Sequence, residues 1–292
     1  MGRLEGKVAL VTGAGGGLGR THALLLAAEG ASVVVNDLGG ARDGSGDGSS
    51  AMADGVVAEI REAGGQAVAD YGSVSDEAAA RGMVQACVDN FGKIDICINN
   101  AGILRDKSFK NMTNDLWDIV VDVHLRGTYL VAKAAWDRML EQGAGGRIVN
   151  TSSTSGLIGN FGQTNYGAAK AGIAGLTRVL ALEGIKYGIT VNTLAPTAWS
   201  RLTEDILPED VGERIGPEKV SPLVAWLCTD EAANVTGRQF CAGGNRVSLL
   251  SWRVDEIAQG DPIGAPLTVD EIGERMAATM EDWPKLLRPM DV

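Results

Sequence analysis

The start of the chain constrains the fold most, because a strand pattern runs directly into a glycine-rich turn and then into a helical pattern. Val8–Val11 is a short apolar run, the turn occupies Thr12–Gly19, and an Ala- and Leu-rich stretch continues to about Glu29. Glycines in such a turn let backbone N–H groups approach an anion, and the following helix points the positive end of its dipole at it. The pattern therefore predicts a phosphate-binding unit. Its predicted contacts come from Gly13, Gly16, Gly17, Leu18 and Gly19.

Strand and helix patterns alternate along the chain after this unit. Short β-branched strands separated by helical stretches are typical of a parallel sheet with helices on both faces. We therefore predict an α/β protein with a Rossmann-type, doubly wound, parallel seven-stranded sheet. The predicted strands are Val8–Val11, Ala31–Val35, Gln66–Ala69, Ile94–Ile98, Gly146–Thr151, Thr190–Leu194 and Arg238–Cys241.

Two segments depart from the alternation. Gly39–Ser50 is a polar, glycine-rich insertion after the second strand, and a C-terminal extension follows the seventh strand. In the extension, Val269–Met276 has its apolar residues at helical spacing, and such a face is expected to pack on the domain or on a neighbouring subunit. We predict a catalytic domain over residues 1–245 and an extension over residues 246–292.

An acidic residue follows the second strand at the position that favours one dinucleotide over another. Asp37 lies 24 residues after Gly13. Its carboxylate can accept both hydroxyls of a ribose and would repel a 2′-phosphate, and Gly16 offers no cation to pair with such a phosphate. The prediction is NAD(H) as the cofactor. Arg42, in the insertion, is the one residue that could reverse this preference.

The fourth strand is followed by Asn99–Gly102, at the edge of a parallel sheet where ligands bind in this architecture. The amides of Asn99 and Asn100 could brace neighbouring loops or contact the adenosine. For both residues the two interpretations are equally supported by the sequence. Asn100, Ala101 and Gly102 are predicted to contact the cofactor.

A tyrosine and a lysine four residues apart point to proton transfer. Tyr166 and Lys170 would lie on one face of a helix. A free tyrosine has a pKa near ~10, and a nearby ammonium is expected to lower it. With a hydroxyl from Ser153 to hold the substrate oxygen, this arrangement suits the interconversion of an alcohol and a ketone.

Composition excludes several classes of partner. The net charge of -11 and the pI of about 4.7 argue against a nucleic acid and against an anionic membrane surface. The chain has 2 histidines and 4 widely separated cysteines, so no metal site is predicted. No secretory pattern precedes the first strand, and we expect a cytoplasmic protein.

The motifs at Thr12–Gly19 and Asn99–Gly102, together with Ser153, Tyr166 and Lys170, resemble the short-chain dehydrogenase/reductase family. The resemblance covers roughly residues 6–244. It implies that Tyr166 is the general acid/base, that Lys170 lowers its pKa and holds the nicotinamide ribose, and that Ser153 orients the substrate oxygen. It adds further candidates for the site: Val74 and Pro196 for the cofactor, and His124 among the catalytic residues.

His124 stands where many family members carry an asparagine that anchors a water. Three roles are open for it: a backbone carbonyl with that same function, a titrating group, or a satisfied core histidine. The family's subunits commonly pair through two long helices, here near residues 114–141 and 163–186, which implies a homodimer or homotetramer.

Further stretches, among them Asn36–Gly40, Val123–Gly127 and Gly159–Gln163, resemble the branch of the family formed by the (3R)-hydroxyacyl-CoA dehydrogenase parts of type 2 peroxisomal multifunctional enzymes. This branch implies a small-molecule substrate, an acyl-CoA, oxidised from the (3R)-3-hydroxy to the 3-keto form with NAD. A 17β-hydroxysteroid or another secondary alcohol is the alternative substrate. A non-catalytic dinucleotide-binding protein is the remote alternative. An apolar loop, residues 198–216, is expected to cap the substrate.

Overall fold

The computed structural model describes residues 2–41, 43–46, 48–199, 212, 214–260, 264–283 and 287. Arg42 and most of the expected capping loop, including Leu202, Ile206 and Leu207, lie outside the described residues.

The described residues form one eight-stranded sheet in the order β3-β2-β1-β4-β5-β6-β7-β8. The first seven strands are parallel, and β8 pairs antiparallel with β7. The predicted Rossmann-type fold is confirmed, with one strand more than expected. The strands are β1 (Val8–Thr12), β2 (Ser32–Asn36), β3 (Gln66–Asp70), β4 (Ile96–Asn99), β5 (Gly146–Thr151), β6 (Ile189–Pro196), β7 (Gln239–Gly243) and β8 (Arg246–Leu250).

Helices connect the strands and cover both faces of the sheet. They are α1 (Gly17–Ala28), α2 (Ala51–Glu62), α3 (Glu77–Phe91), α4 (Asn114–Val121), α5 (Gly127–Gln142), α6 (Thr154–Leu157), α7 (Thr164–Gly184), α8 (Ser221–Leu227) and α9 (Val269–Thr279). The helix predicted from residue 114 to residue 141 is divided by a π-helical segment, Asp122–Arg126, between α4 and α5. Such segments often occur at functional sites.

The core lies on the two sides of the sheet. Alternate residues of β1 supply both sides, with Val11 packed among α1, α2 and α8 and Leu10 packed among α3 and α5. Both residues are fully buried. Because successive side chains of a strand point to opposite faces, this apolar run is what a strand covered on both faces requires.

The extension begins inside the sheet, since β8 is made of its first five residues. The predicted amphipathic helix is present as α9, which begins with a capping box between Thr268 and Glu271. None of the residues of α9, which the structure describes in full, is buried. For the part of the extension beyond β8, packing on the domain or on a neighbouring subunit stays a prediction. Among the described helices, none is long and apolar enough to cross a membrane.

Candidate active site

A cavity of about 290 Å³ opens at the carboxyl edge of the sheet, between β1 and β4. The strand order reverses there, and in open α/β sheets ligands bind at such a switch point. Most of the residues predicted to contact the cofactor line this cavity. They are Gly13, Gly16, Gly17, Leu18, Asp37, Val74, Asn100, Ala101 and Gly102.

The glycine-rich turn forms the wall of the cavity under the start of α1. Gly13 has φ +61°, a conformation that favours glycine. A Cβ on Gly19 would lie 2.1 Å from the carbonyl oxygen of Gly13, so any side chain there would separate α1 from the turn. Gly19 does not line the cavity itself; its role is the close packing that brings the turn and the helix together.

Asp37 presents an oriented carboxylate to the cavity. Its Oδ2 accepts a hydrogen bond from the Gly15 N–H at 2.8 Å, and its Oδ1 accepts one from the Gly39 N–H at 2.7 Å. Each carboxylate oxygen keeps further acceptor capacity after these bonds. The acceptor-only group therefore fits a ribose diol. Gly15, which was not among the predicted site residues, is what fixes its orientation from the turn.

Asn100 braces the turn. Its Nδ2 donates to the carbonyl oxygens of Thr12 and Gly13, both at 3.0 Å, and its backbone N–H donates to the Thr12 hydroxyl. Of the two interpretations left open by the sequence, this geometry supports the bracing role for the side chain. The side chain of the neighbouring Asn99 is buried and its Nδ2 donates to Asn150 at 2.8 Å.

Val74 and Pro196 occupy different places at this edge. Val74 is buried and lines the cavity. It packs against Gly127 so closely that a Cβ added to Gly127 would lie 2.8 Å from Cγ2 of Val74. Pro196 ends β6 and does not line the cavity. Asp70 accepts bonds from the side chain of Asn36 and the N–H of Gly72, so it ties β2 to β3.

Ser153, Tyr166 and Lys170 are brought together where β5 and α6 meet α7. The Ser153 hydroxyl accepts a hydrogen bond from the Ser155 N–H at 3.1 Å and lies close enough to Tyr166 to lower the pKa of its phenol. Lys170 is buried one turn further along α7, with its Nζ 5.5 Å from the centre of the Tyr166 ring and donating to the Thr151 carbonyl at 2.6 Å. The structure thus places a hydroxyl, a phenol and an amine in a chain of neighbours.

The pKa values of this trio are set by burial. Burial raises the pKa of Tyr166 to about 12; the neighbouring Ser153 hydroxyl opposes this rise, and the charge of Asp106 adds to it. Burial lowers the pKa of Lys170 to about 7. The nearby ammonium was expected to lower the pKa of Tyr166. In the structure this pKa is raised instead, because loss of hydration acts on both groups and favours their neutral forms.

His124 lies in the π-helical segment and packs edge-on against Tyr166, with 5.1 Å between ring centres. Its Nε2 is 2.7 Å from the carbonyl oxygen of Ile103, and its Nδ1 is buried without a partner among the described residues. Burial, with the charge of Lys170, lowers the pKa of His124 to about 3. A ring that stays neutral at ordinary pH disfavours titration as its role.

Two residues in front of the tyrosine were not predicted and support the site. Asn165 is fully buried; its Nδ2 donates to the carbonyls of Arg105 and Leu116, and its Oδ1 accepts from the Tyr166 N–H. Gln163 joins Ser155 to Asp106 through its side-chain amide. For Asn165 the place directly before Tyr166 was the available signal, and Gln163 belongs to the Gly159–Gln163 stretch that carries the resemblance to the family branch.

A dinucleotide cavity beside a hydroxyl, a phenol and an amine defines an oxidoreductase that uses NAD(H) or NADP(H). Residues 7–205 match the family model described as short chain dehydrogenase, and the chain belongs to that family. The chain is 53% identical over 274 residues to a short-chain type dehydrogenase/reductase of Mycobacterium tuberculosis, covering 94% of each protein.

Two further relatives carry more specific names. The chain is 55% identical to the peroxisomal multifunctional enzyme type 2 of Mus musculus, over 86% of this chain but only 33% of that protein. It is 42% identical to a hydroxyacyl-CoA dehydrogenase of Mycobacterium tuberculosis, over 85% of this chain and 80% of that protein.

Solved structures show the same fold. A short chain dehydrogenase from Mycobacterium avium superposes with a TM-score of 0.85 at 44% identity, covering 98% of each chain. A short chain dehydrogenase from Mycobacterium paratuberculosis bound to NAD has a TM-score of 0.74 at 28% identity, covering 82% of this chain and 97% of that one.

Proposed function

We propose that this protein is an NAD-dependent dehydrogenase that oxidises (3R)-3-hydroxyacyl-CoA thioesters to 3-ketoacyl-CoA. The observation that carries the reaction type is the buried Lys170, whose Nζ lies 5.5 Å from the centre of the Tyr166 ring, with the Ser153 hydroxyl beside the phenol. The substrate class is supported by the relatives whose names include a hydroxyacyl-CoA dehydrogenase and a peroxisomal multifunctional enzyme.

The described residues fit a dinucleotide. The turn around Gly13 and Gly17 would hold the pyrophosphate, Asp37 the adenosine ribose, and Lys170 the nicotinamide ribose. When bound, the nicotinamide ring would supply the hydride acceptor. No lysine, arginine or histidine appears among the described residues that line the cavity, and this supports NAD over NADP.

The chain's own residues would move the proton. The Ser153 hydroxyl would hold the substrate oxygen beside Tyr166, and the Tyr166 oxygen would take the hydroxyl proton. Above its pKa of about 7, Lys170 is a neutral amine that can accept the proton of the Tyr166 phenol. Thr151, whose carbonyl accepts from Nζ, keeps the amine in place.

The proton state of this pair predicts the pH dependence of the reaction. When Lys170 is protonated and Tyr166 is neutral, neither side chain can accept the hydroxyl proton of the substrate. Once the pair has lost one proton, it can accept that proton. The kcat/KM for alcohol oxidation should therefore rise as the pH increases through about 7, the pKa to which burial lowers Lys170. Initial rates from pH 5.5 to 9 test this, and a rate that falls over that range would contradict it.

Cofactor preference provides a second prediction. Asp37→Ala removes the acceptor for the ribose hydroxyls and the repulsion toward a 2′-phosphate. The ratio of kcat/KM for NAD⁺ over NADP⁺ should fall at least roughly tenfold, since two hydrogen bonds to a charged group are lost. Asp54→Ala, an exposed carboxylate in α2, is the matched control and should leave the ratio unchanged. A wild-type preference for NADP⁺ would refute the assignment.

The substrate is tested by a panel. NADH formation is measured with (3R)- and (3S)-3-hydroxyacyl-CoA thioesters and with 17β-hydroxysteroids. The proposal predicts the highest kcat/KM for the (3R) thioesters. Activity limited to the (3S) thioesters or to the steroids would contradict the proposed (3R) substrate and identify the other compound as the substrate. NAD binding without turnover of any alcohol would favour a non-catalytic protein.

We also propose self-association through α7. Two apolar side chains on this helix, Val179 and Leu182, are 53% and 73% exposed in the isolated chain. Burying such residues in a symmetric interface would stabilise a dimer or tetramer.

A further inference from the structure

The insertion after β2 lies over the cofactor cavity. We call residues 39–46, apart from Arg42, the cofactor strap. Gly40, Ala41, Gly44 and Gly46 of the strap line the same cavity as the glycine-rich turn. Because strap and turn line one cavity, a dinucleotide held by the turn and by Asp37 would lie against the strap.

One side chain joins the strap to the far wall. The Nε of Arg105 donates to the carbonyl oxygen of Asp43, and Nη2 lies 3.9 Å from a carboxylate oxygen of the same residue. Next to this contact Gly44 packs on Ile103, where a Cβ would lie 3.1 Å from Cδ1. The strap therefore has a polar contact and an apolar contact with the segment that follows β4.

The two sides of this contact differ in how firmly they are held. The Arg105 carbonyl accepts a hydrogen bond from buried Asn165 at 3.0 Å, and Ile103 is buried against His124. On the strap, Gly39, Gly44 and Gly46 all have positive φ. Glycines tolerate large changes of φ and ψ, and exposed segments with few buried contacts open at low cost. The strap is thus the side that moves, and Arg105 is the fixed side.

We propose that Arg105 is a positioning residue that latches the strap over the bound dinucleotide and so sets the rate at which the cofactor leaves. This inference rests on the proposed cofactor site. Breaking the latch lets the strap swing about Gly39, whose N–H keeps its hydrogen bond to Asp37, and uncovers the cavity, whereas the turn and the catalytic trio stay as they are. The latch acts on dissociation more than on association, since it is closed only once the cofactor lies beneath it.

The test measures the dissociation rate of NADH by stopped-flow fluorescence in the full chain. Arg105→Met keeps the aliphatic stem and removes the donors, and it should raise the rate roughly tenfold, as expected for the loss of a charge-assisted hydrogen bond. Asp43→Lys, at a half-buried strap position, places a cation opposite Arg105 and should also raise the rate, even if Arg105→Met fails to fold. Arg81→Met removes an exposed arginine from an ion pair on α3 and should not change the rate.

The outcomes separate the latch from the cofactor site. Faster release from both Arg105→Met and Asp43→Lys, with Arg81→Met at the wild-type rate, supports the latch. Equal rates in all four proteins overturn it and leave the cofactor proposal standing. Failure of the wild-type protein to bind NADH overturns the proposed function, and with it the latch.

Discussion

Replacing Tyr166 with phenylalanine is expected to lower kcat for alcohol oxidation by about 10²–10⁴-fold, the usual contribution of a positioned general base. The change removes only the phenol oxygen, whose pKa the neighbouring Ser153 hydroxyl lowers. The ring remains, so its edge-on packing with His124, 5.1 Å between centres, is retained. The dissociation constant for NADH should therefore stay within about twofold of the wild-type value, because no cavity-lining residue is altered.

The experiment needs both readouts and a matched control. Tyr187→Phe makes the same chemical change at an exposed position next to the end of α7 and should leave kcat unchanged. Loss of activity together with loss of NADH binding would mean that the substitution disturbs the site as a whole. Turnover at the wild-type rate would exclude Tyr166 as the acid/base.

The parts of the fold that depend on local pattern were predictable from the sequence. The apolar runs around Leu10 and Val34 predict strands buried on both faces, and the glycines at Thr12–Gly19 predict the turn. The eighth strand was missed for a physical reason. β8 is an edge strand whose Val247 and Leu249 are each 55% exposed, so no buried apolar run marks it.

The candidate site was likewise predictable where it depends on local spacing and not where it depends on segments remote in the chain. The spacing of Tyr166 and Lys170 correctly places them side by side on α7. The direction of the pKa shift of Tyr166 was not predictable, because burial arises from distant segments such as the π-helical turn and the loop after β4. Asn165 was missed likewise, since its partners Arg105 and Leu116 are remote in the chain. A single sequence shows which ionisable and hydrogen-bonding side chains are present. It does not show how far segments remote in the chain shield them from water.

The buried Lys170 is expected to destabilise the folded protein. Lys170→Met should therefore raise the free energy of unfolding by an amount that depends on pH. Burial lowers the pKa of Lys170 from 10.5 to about 7. Between these two values the unfolded chain holds a proton that the folded chain does not, so the wild-type protein becomes more stable as the pH rises through this window. Below pH 7 the amine is charged in both states, and the full cost of burying the charge is present.

Methionine has no charge to bury, so the free-energy difference of unfolding between Lys170→Met and wild type should grow as the pH falls from about 10 to about 7. The expected change in this difference is on the order of 4 kcal/mol, a large part of the 5–15 kcal/mol typical of a domain. The substitution also leaves the Thr151 carbonyl without its donor, but that cost does not depend on pH. Denaturant unfolding at several pH values measures the difference, with Lys110→Met as the exposed control. A difference that stays constant with pH would mean that the amine is hydrated in the native protein, and the proton sharing between Lys170 and Tyr166 would then lose its basis.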